Sequence, residues 1–350
     1  MAQKEPITIL DIARHTGLSK GTVDRVLHNR GEVSRKSFDK VMQAIQKLGY
    51  EPNVYASMLA SHRHCTLVVL IPAAEPGTFW DISRRGIEKA SELTHRLGAE
   101  VTLVTYAQYD VQSFRDACER VLSMKPDGVV LAPMYRDESL ALTAHLKESG
   151  IPYVYIDSKL EEDDYLAYFG MPMQKSGYLC ADLLTQGRRI PSVLVVRIQR
   201  QDASYYDPNV TRRAGFTEYM LANNPECSIH YLFIDPTHPE RIRDSLLDFY
   251  KTHPEVRNLV MFNSRVYLIA PYLEECGLKE MRIIGFDNLD ANVDALRRGI
   301  VTMLIAQRPD EQVSLAIEAL TDFILLKKLP ESRDHFMHMD ILTRYNVENY

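Results

Sequence analysis

The chain has 350 residues, 45% hydrophobic and 25% charged, with 41 Lys and Arg against 47 Asp and Glu. This is the composition of a soluble globular protein, too long for one ordinary domain and suited to a small domain plus a large bilobed one. It excludes a membrane protein, since no run approaches the roughly 18–20 apolar residues of a span. The net charge of −6 is uneven: residues 1–60 hold nine Lys and Arg against six Asp and Glu, and the remainder is acidic. Only the N-terminal segment is therefore suited to attract a polyanion. The opening residues MAQKEPITIL hold no apolar stretch long enough for a signal peptide, so a cytoplasmic location is expected. Five scattered cysteines (65, 118, 180, 227, 276) show no metal-type spacing and read as reduced, buried small hydrophobes.

The first predicted elements are three short helices. Thr8 is placed to cap a helix whose apolar positions Ile9, Ile12 and Ala13 share one face, and Gly17 ends it. Ser19 caps a second helix with Val23, Val26 and Leu27 inward. Ser34 caps a third with Val41, Ala44, Ile45 and Leu48 inward, closed by Gly49. Two helices joined by a short Gly-containing turn are a helix-turn-helix, whose second helix enters the DNA major groove. Lys20, Gly21, Asp24, Arg25 and His28 then point outward. Lys20 and Arg25 are the natural base readers, since cationic donors match the guanine acceptors. Thr8, Ser19, Thr22, Asn29, Ser34 and Lys36 are better placed for phosphates.

At this point the sequence resembles the DNA-binding headpiece of the LacI family of bacterial transcription regulators. The resemblance rests on D-I-A at 11–13, G-L-S at 17–19, T-V at 22–23, R-V-L at 25–27, V-S at 33–34, G-Y-E-P-N at 49–53 and A-x-x-L at 56–59. It implies a headpiece over residues 1–52 and a hinge over 53–64, with Asn53, Ala56 and Leu59 meeting the operator centre. Leu59 would be the apolar wedge that unstacks a base step and kinks the duplex. Asp24, Val54 and Tyr55 depart from the family pattern, which bears on the operator sequence.

From Thr66 the pattern changes to short apolar runs alternating with helical stretches. Strands are expected at 66–72, 100–107, 127–133, 152–157 and 166–170, with helices at 80–98, 112–124, 137–149 and 172–187. A second series has strands at 192–198, 228–234, 258–263 and 281–287 and helices at 211–223, 239–252 and 265–276. Strands rich in Val, Ile and Leu alternating with helices imply parallel sheets covered on both faces. Two such series in tandem give two doubly wound lobes, so the expected fold class is α/β behind a small all-α headpiece. Such sheets bind ligands at the carboxyl ends of their strands, which nominates residues 72–80, Asp157, Asn263 and Asp287.

The stretch from residue 66 to about 346 is similar to the type I periplasmic-binding-protein domain that LacI-type regulators carry behind the hinge. The matching pieces are I-P-Y-V-Y-I-D at 151–157, R-R-A-G-F at 212–216, G-F-D-N at 285–288, I-A-Q-R-P at 305–309 and D-I-L-T-R at 340–344. The resemblance implies effector contacts from Asp157, Arg212, Asn263, Asp287 and Gln307, with Arg213 the competing choice for the arginine. Phe79 and Trp80, the latter the only tryptophan, are candidates to stack on a sugar ring. Tyr205 and Tyr206 are further candidates. Carboxylates and a guanidinium take hydroxyl groups in pairs, and amides supply both donor and acceptor.

Three function classes are separable here. A transport-type binding protein predicts a signal peptide and no headpiece. A nucleotide-dependent enzyme needs a Gly-rich turn after the first strand, where IPAAEPGTFW offers Pro and one Gly. Neither a nucleophile elbow nor an HExxH-type motif is present, so no catalytic residue, metal or cofactor is expected. The expectation is a homodimeric, effector-responsive regulator of carbohydrate genes, binding a pseudo-palindromic operator and a sugar. The alternatives are a non-sugar effector, such as a nucleobase or phosphorylated metabolite, and a non-regulatory sugar-binding protein. The last 20 residues lack a leucine heptad, which favours a dimer over a coiled-coil tetramer.

Overall fold

In the computed structural model, residues 7–27, 33–48, 64–161, 163–199, 207, 209–275 and 280–349 are described. They fall into two compact units, residues 1–62 and 63–350. In the first unit, α1 spans Ile9–Thr16, α2 Lys20–Leu27 and α3 Arg35–Leu48. A capping box opens α1: the Asp11 amide donates to Thr8 Oγ1 at 3.4 Å and the Thr8 amide donates to Asp11 Oδ2 at 2.9 Å. Gly17, at φ 68°, closes α1 in the left-handed region that glycine enters without a Cβ clash. The Thr22 amide donates to Ser19 Oγ and the Ser37 amide to Ser34 Oγ, so both expected serine caps are formed. Ile12, Val23, Val26, Val41 and Ala44 bury their side chains against one another and form this unit's core.

The second unit begins with β1 (Cys65–Pro72), α4 (Phe79–His95), β2 (Ala99–Tyr106), α5 (Val111–Met124) and β3 (Gly128–Leu131). It continues through α6 (Arg136–Glu148), β4 (Tyr153–Ile156) and β5 (Ala167–Gly170). A second series follows: α7 (Met173–Thr185), β6 (Ser192–Ile198), α8 (Asn209–Asn223), β7 (Ser228–Ile234), α9 (Pro239–Thr252) and β8 (Asn258–Met261). Then come α10 (Ala270–Glu275), β9 (Arg282–Phe286), α11 (Asp290–Arg297) and β10 (Met303–Ala306). The central strands are buried along their whole length, as a sheet covered by helices on both faces requires.

The lobes are not laid down in tandem, as the sequence pattern suggests. After β10 the chain returns to the first lobe, where α12 (Pro309–Thr321) packs along α4 and against β3, β4 and β5. β11 (Asp334–Phe336) then pairs in parallel with β5, and β12 (Asp340–Leu342) crosses back to pair antiparallel with β10. The sheet orders are β11-β5-β4-β3-β1-β2 and β12-β10-β9-β8-β6-β7, so each lobe repeats the other's strand order and differs in the direction of its last strand. Three crossings between the lobes result, and a hinge between two such bodies needs only a few residues per crossing.

Two helices differ from their expected extents. The stretch expected as one helix over 265–276 is a 3₁₀ turn at Val266–Leu268 followed by α10. Pro271 explains this, because a residue without an N–H is tolerated only in a first turn. α4 ends at His95, and Gly98, at φ 92°, forms the turn into β2 rather than the helix end. Cys65, Cys118 and Cys180 are buried, as expected of small hydrophobes, and Cys227 is partly buried. Cys276 and Gly49 lie outside the described residues.

Candidate ligand-binding cleft

Equivalent strands of the two sheets end in the same way. β4 runs into Asp157 and β9 into Asp287, and both aspartates have left-handed backbones, at φ 63° and 65°. The Asp157 amide donates to Phe169 O at 3.2 Å and the Asp287 amide to Ile305 O at 2.9 Å, so each strand keeps its ladder into the turn. An αL conformation is tolerated by Asp better than by most residues and is frequent where backbone strain serves a site. The result is a carboxylate from each lobe aimed into one cleft of about 530 Å³.

Arg212 enters the same cleft from α8 and is only 2% exposed. Its Nε donates to Ser176 Oγ at 2.9 Å, and its Nη1 donates to Asn209 Oδ1 at 3.1 Å and to the Phe262 carbonyl. Among the described residues, Nη2 meets only the thioethers of Met171 and Met173, which are weak acceptors. The guanidinium also lies 4.0 Å from the centroid of the Phe286 ring. α8 reaches this position by close packing on α7. A Cβ on Gly177 would collide with the Arg212 carbonyl, and one on Gly215 with the Gln174 carbonyl. Arg213 instead binds Asp207 at 2.8 Å, away from the cleft lining.

The electrostatics follow from burial. Asp157 is pushed up to about 7 chiefly by desolvation, which the nearby Arg212 charge opposes and the Asp287 charge reinforces. Asp287 is pushed up to about 6 by burial, opposed by Arg212 and by its hydrogen bond from Gln307. Burial lowers the Arg212 pKa, and the two carboxylates offset part of that. Among the described residues, no donor reaches the Asp157 carboxylate, and Asp287 receives one bond, from Gln307 Nε2 at 3.0 Å. Gln307 Oε1 is buried without a hydrogen-bond partner among the described residues. The cleft therefore holds unspent acceptors beside a guanidinium nitrogen, Arg212 Nη2, that has only weak acceptors.

All seven residues nominated for effector contact, Phe79, Trp80, Asp157, Arg212, Asn263, Asp287 and Gln307, line this one cleft. Phe79 and Trp80 meet edge to face, with centroids 5.0 Å apart. Sequence reasoning missed Asn209, Gln108, Tyr109 and Arg265, which also line it. Asn209 was findable as the residue one helical turn before Arg212, and the others follow the ends of β2 and β8. Arg265 Nη2 donates to Tyr109 Oη at 2.6 Å and so joins the two lobes at the cleft. Tyr205 and Tyr206 lie outside the described residues.

On the headpiece, Ser19, Lys20, Gly21 and Arg25 are exposed at the start and along one side of α2, and Thr8, Ser34 and Lys36 are exposed as well. Arg25 Nε donates to Gly21 O at 3.2 Å, which lays its side chain along the helix. His28, Asn29, Asn53, Ala56 and Leu59, together with residues 53–63 of the hinge, lie outside the described residues.

Comparison with known proteins fits both units. Residues 8–53 match the profile of bacterial regulatory proteins of the lacI family, and residues 68–328 match a periplasmic binding protein domain. A crystal structure from Bacteroides fragilis assigned to the LacI transcriptional regulators is 31% identical. It superposes with a TM-score of 0.77 over 82% of this chain and 100% of that one. The chain belongs to the LacI family. The HTH-type transcriptional regulator CelR of Thermobifida fusca is 27% identical over 65% of this chain and 64% of its own length, so the match spans less than two thirds of that relative. GanP of Geobacillus stearothermophilus, named a glucose-galactose binding protein, shares the fold with a TM-score of 0.69 at 18% identity, over 81% of this chain and 99% of its own. The matched relatives are transcription regulators rather than enzymes. Among the described residues, no helix is long and apolar enough to cross a membrane.

Proposed function

We propose that this LacI-family chain is a regulator, acting as a repressor, whose grip on operator DNA is set by a small uncharged polyol held in the cleft, most simply a sugar. The observation that carries the effector class is a set of open acceptors: among the described residues, the Asp157 carboxylate, one Asp287 oxygen and Gln307 Oε1 receive no hydrogen bond. A ligand rich in hydroxyl donors satisfies all three. A phosphorylated ligand would instead bring more negative charge beside two buried carboxylates, which costs repulsion and desolvation together. Phe79 and Trp80 supply apolar surface for the C–H face of a pyranose.

The headpiece is the DNA-reading unit in this account. Two copies of the chain place two α2 helices in successive major grooves, about one helical turn apart, over a pseudo-palindromic site. Lys20 and Arg25 read bases, while Thr8, Ser19, Thr22, Asn29 and Ser34 hold phosphates. Gly21 and His28 are further DNA contacts, and Asn53, Ala56 and Leu59 act at the operator centre. The effector changes the angle between the lobes, so effector and operator affinities are reciprocally coupled. The chain works in the cytoplasm on genes of carbohydrate uptake or breakdown.

A thermal-shift screen against neutral mono- and disaccharides, acidic and phosphorylated sugars and nucleobases tests the effector class. A ligand that binds only the folded chain raises the melting temperature by mass action. A neutral sugar that raises it for the wild type and not for Asp287→Asn supports the proposal. A response confined to phosphorylated compounds or nucleobases overturns the polyol reading and leaves the regulator.

A further inference from the structure

The edge strand β7 and the end of α9 bring together a group of side chains that the cleft does not use. His230, His253 and Glu255 each offer a ligand atom, and the three atoms lie within 4.8 Å of one another. Local structure explains the grouping. On β7 the side chains of His230, Leu232 and Ile234 alternate onto the face toward α9, and Leu232 and Ile234 join the core that contains Ile242, Leu246 and Tyr250. His230 is the last of that row, where the apolar core gives out. α9 then ends at Thr252, and His253 lies one helical turn beyond Phe249. Pro254 cannot continue the helix, and a turn closed by the Val256 amide donating to His253 O swings Glu255 back.

The two imidazoles lie 4.4 Å apart between centroids, and the Phe249 ring packs against both, at 5.6 and 4.9 Å. His253 Nδ1 is 3.5 Å from Glu255 Oε1. Among the described residues, neither imidazole makes a side-chain hydrogen bond to the protein. Two aromatic bases held side by side by a phenylalanine, without protein hydrogen bonds and facing a carboxylate, match the donor set of a borderline divalent metal.

We infer that His230, His253 and Glu255 form a surface site for a zinc-class divalent ion. Tetrahedral zinc, with bonds of roughly 2.0–2.1 Å, needs ligand atoms about 3.4 Å apart. The His253–Glu255 pair already has that separation, and the His230 ligand atom, within 4.8 Å of the other two, would have to close the remaining gap by a side-chain adjustment. Three protein ligands leave a fourth position for water or an outside donor. Two nitrogens in the set select against Mg²⁺ and Ca²⁺, which take oxygen ligands. The ion would pin the edge strand to the end of α9. His230 pairs with Leu194 near the amino end of the sheet, whereas the cleft lies at the carboxyl ends. The sequence shows no metal motif because the two histidines are 23 residues apart on different elements and share no short spacing.

Equilibrium dialysis of untagged, chelator-treated full-length protein against Zn²⁺ tests this. The wild type is expected to hold one more equivalent than His253→Ala or His230→Gln, and Glu255→Gln is expected to weaken that equivalent about tenfold. Millimolar Mg²⁺ should leave it in place. Zn²⁺ should also raise the melting temperature of the wild type and not of the variants, whose circular dichroism confirms that they are folded. Zinc stoichiometry equal in wild type and both histidine variants, an affinity indifferent to Glu255, or displacement by Mg²⁺ would overturn the site.

Discussion

Asp157 and Asp287, one from each lobe, are joined by a continuous chain of buried hydrogen bonds. The Asp157 amide donates to Gln312 Oε1 at 3.1 Å, Gln312 Nε2 donates to the Gln307 carbonyl at 2.9 Å, and Gln307 Nε2 donates to Asp287 Oδ1 at 3.0 Å. Gln312 is on α12, which packs on the first lobe, and Gln307 follows β10 in the second. The chain thus runs through the crossing that the sequence pattern does not reveal. A ligand that bonds either carboxylate pulls on a network that spans the hinge, and buried networks of this kind hold discrete geometries.

The first consequence concerns stability and pH. Burial lifts Asp157 to about 7, above the roughly 3.9 of an unfolded aspartate. Between those values the folded chain keeps a proton that the unfolded chain has lost. The group's stabilising contribution is therefore complete below about pH 4 and is lost as pH rises through 7. Asp157→Asn removes the buried charge, so at pH 8 the ligand-free variant should be more stable than wild type by about 1–3 kcal/mol. At pH 4.5 the gap should nearly close, and paired melting curves at the two pH values check both halves.

Effector affinity should follow the same groups in the opposite direction. Hydroxyl donors bond an ionised carboxylate more strongly than a protonated one. Affinity should thus fall as pH drops through about 7 and then 6, by up to about tenfold per unit for each linked proton. Calorimetric titrations at pH 8 and 5.5 would show it, and an unchanged constant would place the ligand away from the carboxylates.

Helix contact on the far side of Arg212 is equally testable. Gly177→Ala drives a methyl group into the Arg212 carbonyl, a backbone atom that cannot rotate away. The variant should lose about 2–4 kcal/mol by overpacking and should weaken effector binding, because the α8 turn that carries Arg212 must shift. Thermal unfolding alongside effector titration separates the two effects.

At the cleft, Tyr109→Phe removes one hydroxyl and leaves the ring. It deletes the 2.6 Å bond from Arg265 that links the lobes. Tyr109 is 49% exposed, so stability should change by less than about 0.5 kcal/mol. Effector release should accelerate severalfold, as expected where a hydrogen bond to a charged group ties the two lobes together at the cleft. Stopped-flow displacement measures that rate directly.

Much of this molecule is readable from its residues, and the limits have physical causes. The headpiece helices are legible because Thr8, Gly17, Ser19 and Ser34 act locally, within one turn of the backbone they satisfy. The cleft residues are legible because ligands collect at the carboxyl ends of parallel strands, which places Asp157, Asn263 and Asp287 together from the strand pattern alone. The exchange of α12, β11 and β12 between lobes is not legible, since the pairing of β11 with β5 joins segments about 165 residues apart. Tyr109 and Arg265 escape for the same reason: each reads as an ordinary loop residue, and only the tertiary fold sets them face to face. Pro271 is the opposite case, a local signal that was present and would have divided the helix expected over 265–276.

The coupling of the cleft to DNA is tested most directly by operator affinity, measured by fluorescence anisotropy with and without the sugar found in the screen. Full-length wild type and Asp287→Asn should bind operator equally in its absence. The sugar should change wild-type affinity by about 5- to 150-fold, a coupling of roughly 1–3 kcal/mol, and should leave the variant unaffected. An operator affinity indifferent to the sugar in wild type, or a response that survives in Asp287→Asn, would contradict the account.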